Sequence, residues 1–395
     1  MEIEKAEIKY YNNNENDGMI IDWDDVFKIY NSLGCPPEVY NPSEAPINDA
    51  EWFVLTSERS TGKTSNLVLI AMILFLRYGC ITAYLRQKSD QVTPKEMKNF
   101  MNVILQFKYI DKLTNGEYNG VRYWSRRYTF VKWDETGQKV KESEPFIWVG
   151  DVQEELTYRS NLNLPTCVLI IYDEFISTEY MTNEIVTLCQ LHKTITRDRF
   201  GVKMFMCANT TNYYHEYFRE LLIQDEVLNC KVNHDFIKFT PLGTKIYYKM
   251  IGNRSIKREQ LNTKYYGFNN PRLKSITGGD WSINNYPHIE KEERKVIYNH
   301  LYFLFNERYY QIELVHSERL GIHCIIHRCN QPLKRKYNPR VFTIEEIKDK
   351  NQIYKFGSLH IDKYIWELRK NNKWYYADND VGFTAESYVN RANKL

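Results

Sequence analysis

The sequence has no hydrophobic run long enough to cross a bilayer. Its longest, Leu67–Leu76, covers ten residues, whereas a helical span needs about 20. It also has no large excess of one charge. Lys and Arg total 53 against 50 Asp and Glu, for a net +3, so any attraction to nucleic acid must come from local basic clusters, not a global field. There is no CxxC pair. The eight cysteines, at 35, 80, 167, 189, 207, 230, 324 and 329, are scattered, and several sit in apolar runs where a small buried thiol is the ordinary role. A reduced, cytoplasmic setting follows. The first residues, Met1-Glu2-Ile3-Glu4-Lys5, carry charge and no apolar core, so no signal peptide is expected. No internal repeat is visible. What is present is ample apolar and aromatic material: 43% hydrophobic residues with 31 Tyr and 19 Phe, enough for a packed core and against disorder. At 395 residues two or three structural units are expected.

The chain is organised around Ser57-Glu58-Arg59-Ser60-Thr61-Gly62-Lys63-Thr64. An apolar strand, Trp52–Leu55, leads into it and the Leu67–Leu76 run leads away as a helix. Strand, tight turn, Gly-Lys-Thr and helix is the layout of a P-loop, whose backbone N–H groups and helix N-terminus cradle phosphates. In that layout Lys63 reaches the β- and γ-phosphates and the Thr64 hydroxyl sits on Mg²⁺. Ser57 stands where the motif has glycine.

The second motif is Cys167-Val168-Leu169-Ile170-Ile171-Tyr172-Asp173-Glu174. An unbroken β-branched and apolar run reads as a strand buried on both faces. It delivers two carboxylates at its C-terminal edge, where open α/β sheets bind ligands. Asp173 is placed to hold Mg²⁺ and Glu174 to orient and polarise an attacking water. An amphipathic helix over Asn183–Thr196 follows, then Arg197-Asp198-Arg199, then an apolar strand, Val202–Ala208, ending at Asn209. This is the additional-strand, catalytic-glutamate order of motor ATPases, with Asn209 where a sensor of the γ-phosphate would lie. Nucleoside triphosphate hydrolysis is the chemistry these motifs imply.

Elsewhere, Cys80–Arg86 reads as a strand ending in a basic pair, Arg86 and Lys88. Short strands between 108 and 150 suggest an antiparallel insertion. Residues 244–284 read as a linker. From about 295, three strands at hairpin spacing, two helical stretches, a short strand at Trp374–Tyr376 and a final helix form a separate α+β unit. His323, Cys324, His327 and Cys329 lack the second ligand pair that zinc sites use, so a hairpin with polar alternation is expected there. Lys334-Arg335-Lys336 with Arg340, and Arg254, Lys257 and Arg258, are candidate phosphate-backbone contacts.

Taken together, Phe53–Thr64, Tyr84-Leu85-Arg86, Asp173-Glu174-Phe175-Ile176, Asn183-Glu184, Thr196-Arg197-Asp198-Arg199 and Ala208-Asn209 resemble the DNA encapsidation ATPases of small tailed phages (Picovirinae). The similarity is clear over about residues 50–245. It implies a P-loop ATPase core of the additional-strand, catalytic-glutamate (ASCE) class, a mostly parallel sheet flanked by helices. It further implies a small linker domain and a C-terminal α+β domain of degenerate RNase H type. The corresponding division is 1–243, with an N-terminal extension over 1–50, then 244–284 and 285–395. It implies ATP and Mg²⁺ as ligands, with Ser57, Arg59, Ser60, Thr61, Gly62, Lys63 and Thr64 around the phosphates and Thr64 and Asp173 on the metal. Glu174 would be the catalytic base, Asn209 the sensor, and Arg197 the arginine finger reaching into a neighbour's site, with Arg199 the alternative. Expected partners are double-stranded DNA, the portal and procapsid, a packaging RNA and further copies in a ring, a pentamer in the family, acting in the host cytoplasm and not at a membrane. The segment after Phe175-Ile176 is not basic, so Arg86 and Lys88 are the candidates for contacting DNA in the pore. Two rival readings are a terminase-like ATPase with an active C-terminal nuclease and a non-motor NTP-binding scaffold. The first would need clustered carboxylates on the C-terminal strands, and Leu301–Phe305 carries none.

Overall fold

In a computed structural model of the chain, described residues are 3–35, 39–57, 61–105, 108–159, 161–176, 183–209, 215–252, 286–287, 294–305, 308–329, 339–344, 352–353 and 360–392. The chain divides into two compact units, Met1–Trp281 and Ser282–Leu395. Among the described residues no helix is long and apolar enough to cross a membrane.

The main sheet of the first unit has nine strands among the described residues. In chain order they are β1 (Trp52–Ser57), β2 (Ile81–Arg86), β3 (Gly120–Trp124), β4 (Arg127–Trp133), β5 (Lys139–Asp151), β6 (Cys167–Asp173), β7 (Lys203–Asn209), β8 (Asp235–Phe239) and β9 (Lys245–Ile251). They lie in the order β8-β9-β1-β7-β6-β2-β5-β4-β3. The six from β9 to β5 run parallel, and antiparallel strands close both edges. Every residue of β6 is buried, as its unbroken apolar run demands when helices cover both faces. Strand β7 is interposed between β1 and β6, so the residues ending all three are brought side by side at one sheet edge.

Helix α1 (Trp23–Ser32) begins at Asp22, whose carboxylate accepts the Asp25 N–H at 3.1 Å. It turns Trp23, Val26, Phe27 and Tyr30 inward. Helix α2 (Lys63–Tyr78) is buried over most of its length and ends at Gly79, left-handed at φ 67°, a conformation that glycine adopts without a Cβ clash. Helix α3 (Pro94–Leu105) precedes the β3–β5 extension, and α4 (Glu184–Thr196) follows β6. A short helix, α5 (Glu216–Glu220), follows β7.

One expectation changes here. Residues 245–251, placed by sequence in a linker, form β9 beside the P-loop strand; Lys249, which interrupts the apolar pattern, is buried against Glu44 at 2.8 Å. The strands expected between 108 and 150 do pair antiparallel, and the second half of β5 also pairs parallel with β2, so that the insertion extends the main sheet. The rest of the expected linker, 253–284, and the Arg254, Lys257 and Arg258 cluster lie outside the described residues.

The second unit holds β10 (Lys295–Phe305), β11 (Arg308–Ser317), β12 (Gly321–Cys329), β13 (Arg340–Thr343), β14 (Gln352–Ile353) and β15 (Trp374–Tyr376), with helices α6 (His360–Lys370) and α7 (Asn379–Ala392). Strands β10, β11 and β12 form an antiparallel meander, β13 and β14 add in parallel beyond β10, and β15 adds in parallel beyond β12. Phe303 stacks between Tyr310 and Tyr388 at 4.8 and 4.9 Å, packing α7 against the sheet. His323 and Cys324 are buried within this unit, and no cluster of three or more His, Cys, Asp or Glu among the described residues could hold a metal. Residues 345–350 of the Ile344–Lys350 stretch, and Lys334–Lys336, fall outside the described residues.

Candidate functional site

The parallel register sets the site. Ser57 at the end of β1 lies opposite Asn209 at the end of β7, and Asp173 at the end of β6 lies opposite Cys207. The turn after β1 returns through Gly62, left-handed at φ 79°, to start α2. A Cβ at Gly62 would come within 2.8 Å of the Val39 Cβ. The segment before β1 braces this turn: the Tyr40 N–H donates to the Thr61 carbonyl at 2.8 Å, and Asn66 Nδ2 donates to the Tyr40 carbonyl at 2.6 Å. Thr61, Gly62, Lys63, Thr64, Asp173, Glu174 and Asn209 line one cavity of about 400 Å³.

Lys63 is buried, and its ammonium donates to Ser57 Oγ and, at 3.4 Å, to Thr61 Oγ1. Ser57 and Thr61 hydroxyls are 2.6 Å apart. Position 57 is the last residue of a strand, and only Gly62 in the described part of the turn is left-handed. A serine therefore fits there without strain, and its hydroxyl gives the lysine a partner that glycine could not. Burial pushes the Lys63 amine below its ordinary value, against the opposing pull of Cys207, Asp173 and Glu174. A desolvated ammonium in a polar cradle is a receptor for an anion.

Thr64 Oγ1 donates to Asp173 Oδ1 at 2.7 Å. Tyr84 and Arg86 both donate to Asp173 Oδ2, each at 2.8 Å. Burial and the adjacent Asp173 push the Tyr84 hydroxyl well above the ordinary phenol range, so it remains a donor. The Thr64 hydroxyl and Asp173 carboxylate are the hard oxygen ligands that Mg²⁺ takes, and their adjacency beside Lys63 fits a metal bound together with phosphate. Glu174 follows in a left-handed conformation, φ 55°, which turns its half-exposed side chain back over the cavity, where Arg86 Nη2 meets Oε2 at 2.8 Å.

The structure thus brings Ser57, Thr61, Gly62, Lys63, Thr64, Asp173, Glu174 and Asn209 together. Arg59 and Ser60 lie outside the described residues. Arg86 departs from its expected place: it is a member of this site, 16% exposed and bound to both carboxylates, and not a free pore cation. Lys88, two residues on, is half-buried and does not line the cavity. Arg197 is also elsewhere. Helix α4 runs 13 residues, about 20 Å, from the Asp173 edge to the opposite edge of the sheet. There Arg197 donates to the Leu162 carbonyl at 3.0 Å and Arg199 to the Leu164 carbonyl at 2.6 Å. Neither guanidinium enters the cavity of its own chain.

Sequence reasoning also missed a buried carboxylate. Glu184 accepts hydrogen bonds from Gln87, Tyr172 and Tyr217 at 2.7, 2.8 and 2.8 Å. It ties the residues beside Arg86 and Asp173 to the start of α4. An acid opening a helix gave no sign of this, since such residues are ordinarily solvated.

No protein-family model matches the chain, and no curated protein matches it either. Among solved structures, the chain is similar to the viral genome packaging motor assembly of bacteriophage phi-29, with a TM-score of 0.57 at 16% identity over 90% of this chain and 99% of that one. It is similar also to the phi-28 gp11 DNA packaging motor, with a TM-score of 0.52 at 17% identity over 91% of this chain and 99% of that one. The chain has the fold of these phage packaging motors across nearly its whole length.

Proposed function

We propose that the chain is a Mg²⁺-dependent ATPase that drives double-stranded viral DNA into a procapsid as part of a ring. One observation carries the reading: residues as distant in sequence as Lys63, Asp173, Glu174 and Asn209 line a single cavity. Lys63 binds the β- and γ-phosphates and Thr64 and Asp173 hold the metal, which screens phosphate charge. Glu174 takes a proton from the attacking water, and Asn209 contacts the terminal phosphate or that water.

Arg197 acts as the finger in the neighbour's site. It is exposed, and with Asp198 it occupies consecutive left-handed positions, φ 50° and 63°. Such conformations cost about 1–3 kcal/mol each in residues other than glycine and concentrate at functional turns. Arg199, half-buried with its Nη2 shared between the Leu164 and Ile195 carbonyls, is less free to reach out. A finger supplied across a subunit boundary couples firing between neighbours.

The second unit is a degenerate RNase H-like domain. Its β12-β11-β10-β13-β14 order, an antiparallel meander followed by two parallel strands, supports that reading. Portal, packaging RNA and a pentameric ring in the host cytoplasm are the partners and setting that the resemblance implies. DNA is held through its backbone, so binding falls steeply with salt.

ATP turnover with and without DNA tests the reading. Glu174→Gln should bind nucleotide and lose hydrolysis by about 10²-fold or more. Arg197→Ala mixed with Lys63→Ala should recover activity that neither has alone. Normal turnover in Glu174→Gln would sink the assignment of the base, and no recovery in an assembled mixture would sink the finger.

A further inference from the structure

We infer that Ser57 is a positioning residue for Lys63: its hydroxyl, together with that of Thr61, seats the ammonium from behind and turns it towards the β- and γ-phosphates. The inference rests on the ATPase reading above. Its basis is a triangle of three side chains. Lys63 Nζ donates to Ser57 Oγ and, at 3.4 Å, to Thr61 Oγ1, and the two hydroxyls are 2.6 Å apart. Lys63 and Thr61 line the cavity, whereas Ser57, 1% exposed, is not part of its wall. The Ser57 hydroxyl therefore acts on a ligand through Lys63 and not by touching it.

The chemistry of the partners matters as much as their place. An ammonium has three N–H donors, and the two hydroxyls take two of them, which leaves one for the cavity. These hydroxyls are its partners among the described residues, where no carboxylate lies within ion-pair distance of it. Neutral hydroxyls orient the ammonium without cancelling its charge, so the charge is kept for an anion. An Asp or Glu in their place would compete with phosphate. The seat is also rigid. Ser57 ends β1, flanked in register by Asn209 of β7 and Ile251 of β9. Glycine at this position, as in the motif, would leave the long flexible lysine stem with Thr61 alone to hold its end.

Binding of inorganic tripolyphosphate to the full chain, read by displacement of a fluorescent ATP analogue, tests this. AMP is the control, because it lacks the β- and γ-phosphates that Lys63 reaches. Ser57→Ala should weaken tripolyphosphate binding by about tenfold, the scale of one hydrogen bond to a charged group, and leave AMP within about twofold of the parent. Ser57→Cys nearly keeps the volume but offers sulfur, a weak acceptor. It should show the same loss, which separates the hydrogen bond from the filling of space. Both variants are measured well below their thermal midpoints, so that loss of fold does not enter.

Tripolyphosphate bound by Ser57→Ala as tightly as by the parent, or more tightly, overturns the inference; tighter binding would mean that the serine holds the ammonium away from phosphate. An equal loss for AMP overturns it too, since the whole turn would then have loosened, and so does parent-like affinity in Ser57→Cys. With a parent that binds and hydrolyses ATP, those outcomes leave the ATPase reading standing. A parent that binds neither tripolyphosphate nor the ATP analogue overturns both.

Discussion

Thr64 and Asp173, 109 residues apart in the chain, meet through a hydrogen bond of 2.7 Å from hydroxyl to carboxylate. The pair joins the first turn of α2 to the end of β6 and places two oxygens where a divalent cation would bind. Thr64→Ser keeps the hydroxyl and should keep Mg²⁺-dependent turnover near the parent's. Thr64→Val keeps the shape and removes the oxygen, while Asp173 retains Tyr84 and Arg86. The Mg²⁺ concentration for half-maximal ATPase rate should then rise at least about tenfold. Equal Mg²⁺ dependence in the Val and Ser variants would remove Thr64 from the metal.

Lys63 is a charge that burial opposes. Its folded-state value is lowered from 10.5 mainly by desolvation, so below that value the fold bears the cost of an ammonium held out of water. Lys63→Met should stabilise the nucleotide-free chain by about 1 kcal/mol at pH 7 while abolishing binding of a fluorescent ATP analogue. The stability difference should shrink as pH rises through the lowered value towards 10.5, because the parent's amine then deprotonates first in the folded state. Urea unfolding at pH 7 and at pH 9.5 reads both effects. A Met variant less stable than the parent would show that the ammonium is held favourably.

Much of this site is legible in the sequence because its signals are local. The apolar run of β6 requires burial on both faces, and a strand-turn-helix with Gly-Lys-Thr brings its own phosphate cradle. Arg86 was not legible. A basic residue ending a strand reads alike whether it faces DNA or a carboxylate on the next strand, and the pairing of β2 with β6 is tertiary. The same holds for β9, where Lys249 reads as surface until Glu44 is found beside it. Glu184 is the extreme case, since its three donors come from three separate segments. Arg197 shows the converse: its motif is local, but the role proposed for it would be exercised in another copy of the chain.

His192 on α4 stacks on Trp52, with ring centroids 5.4 Å apart. Burial pushes its imidazole down from 6.5 to about 4. Between those values the unfolded chain takes up a proton that the folded chain refuses, so stability falls as pH drops from 6.5 towards 4. The loss attributable to this residue at pH 5 should be about 1–2 kcal/mol. His192→Phe, which retains the stacking, should flatten the stability profile over that range and match the parent at pH 8. Chemical denaturation at pH 5 and pH 8 compares them. An equal acid loss in both chains would place the sensitivity elsewhere.

Glu184 makes the boldest stability case, because its fully buried carboxylate gathers three side-chain donors from three separate segments. Oε1 accepts from Tyr172 and Tyr217, and Oε2 accepts from Gln87. Glu184→Ala leaves those donors without their shared acceptor in a dry setting. At about 1 kcal/mol for each, the fold should lose about 3 kcal/mol in urea unfolding. Tyr217→Phe removes one donor and leaves two, so it should cost about 1 kcal/mol. If Glu184→Ala unfolds within 1 kcal/mol of the parent, the carboxylate is not the clasp between β2, β6 and α4.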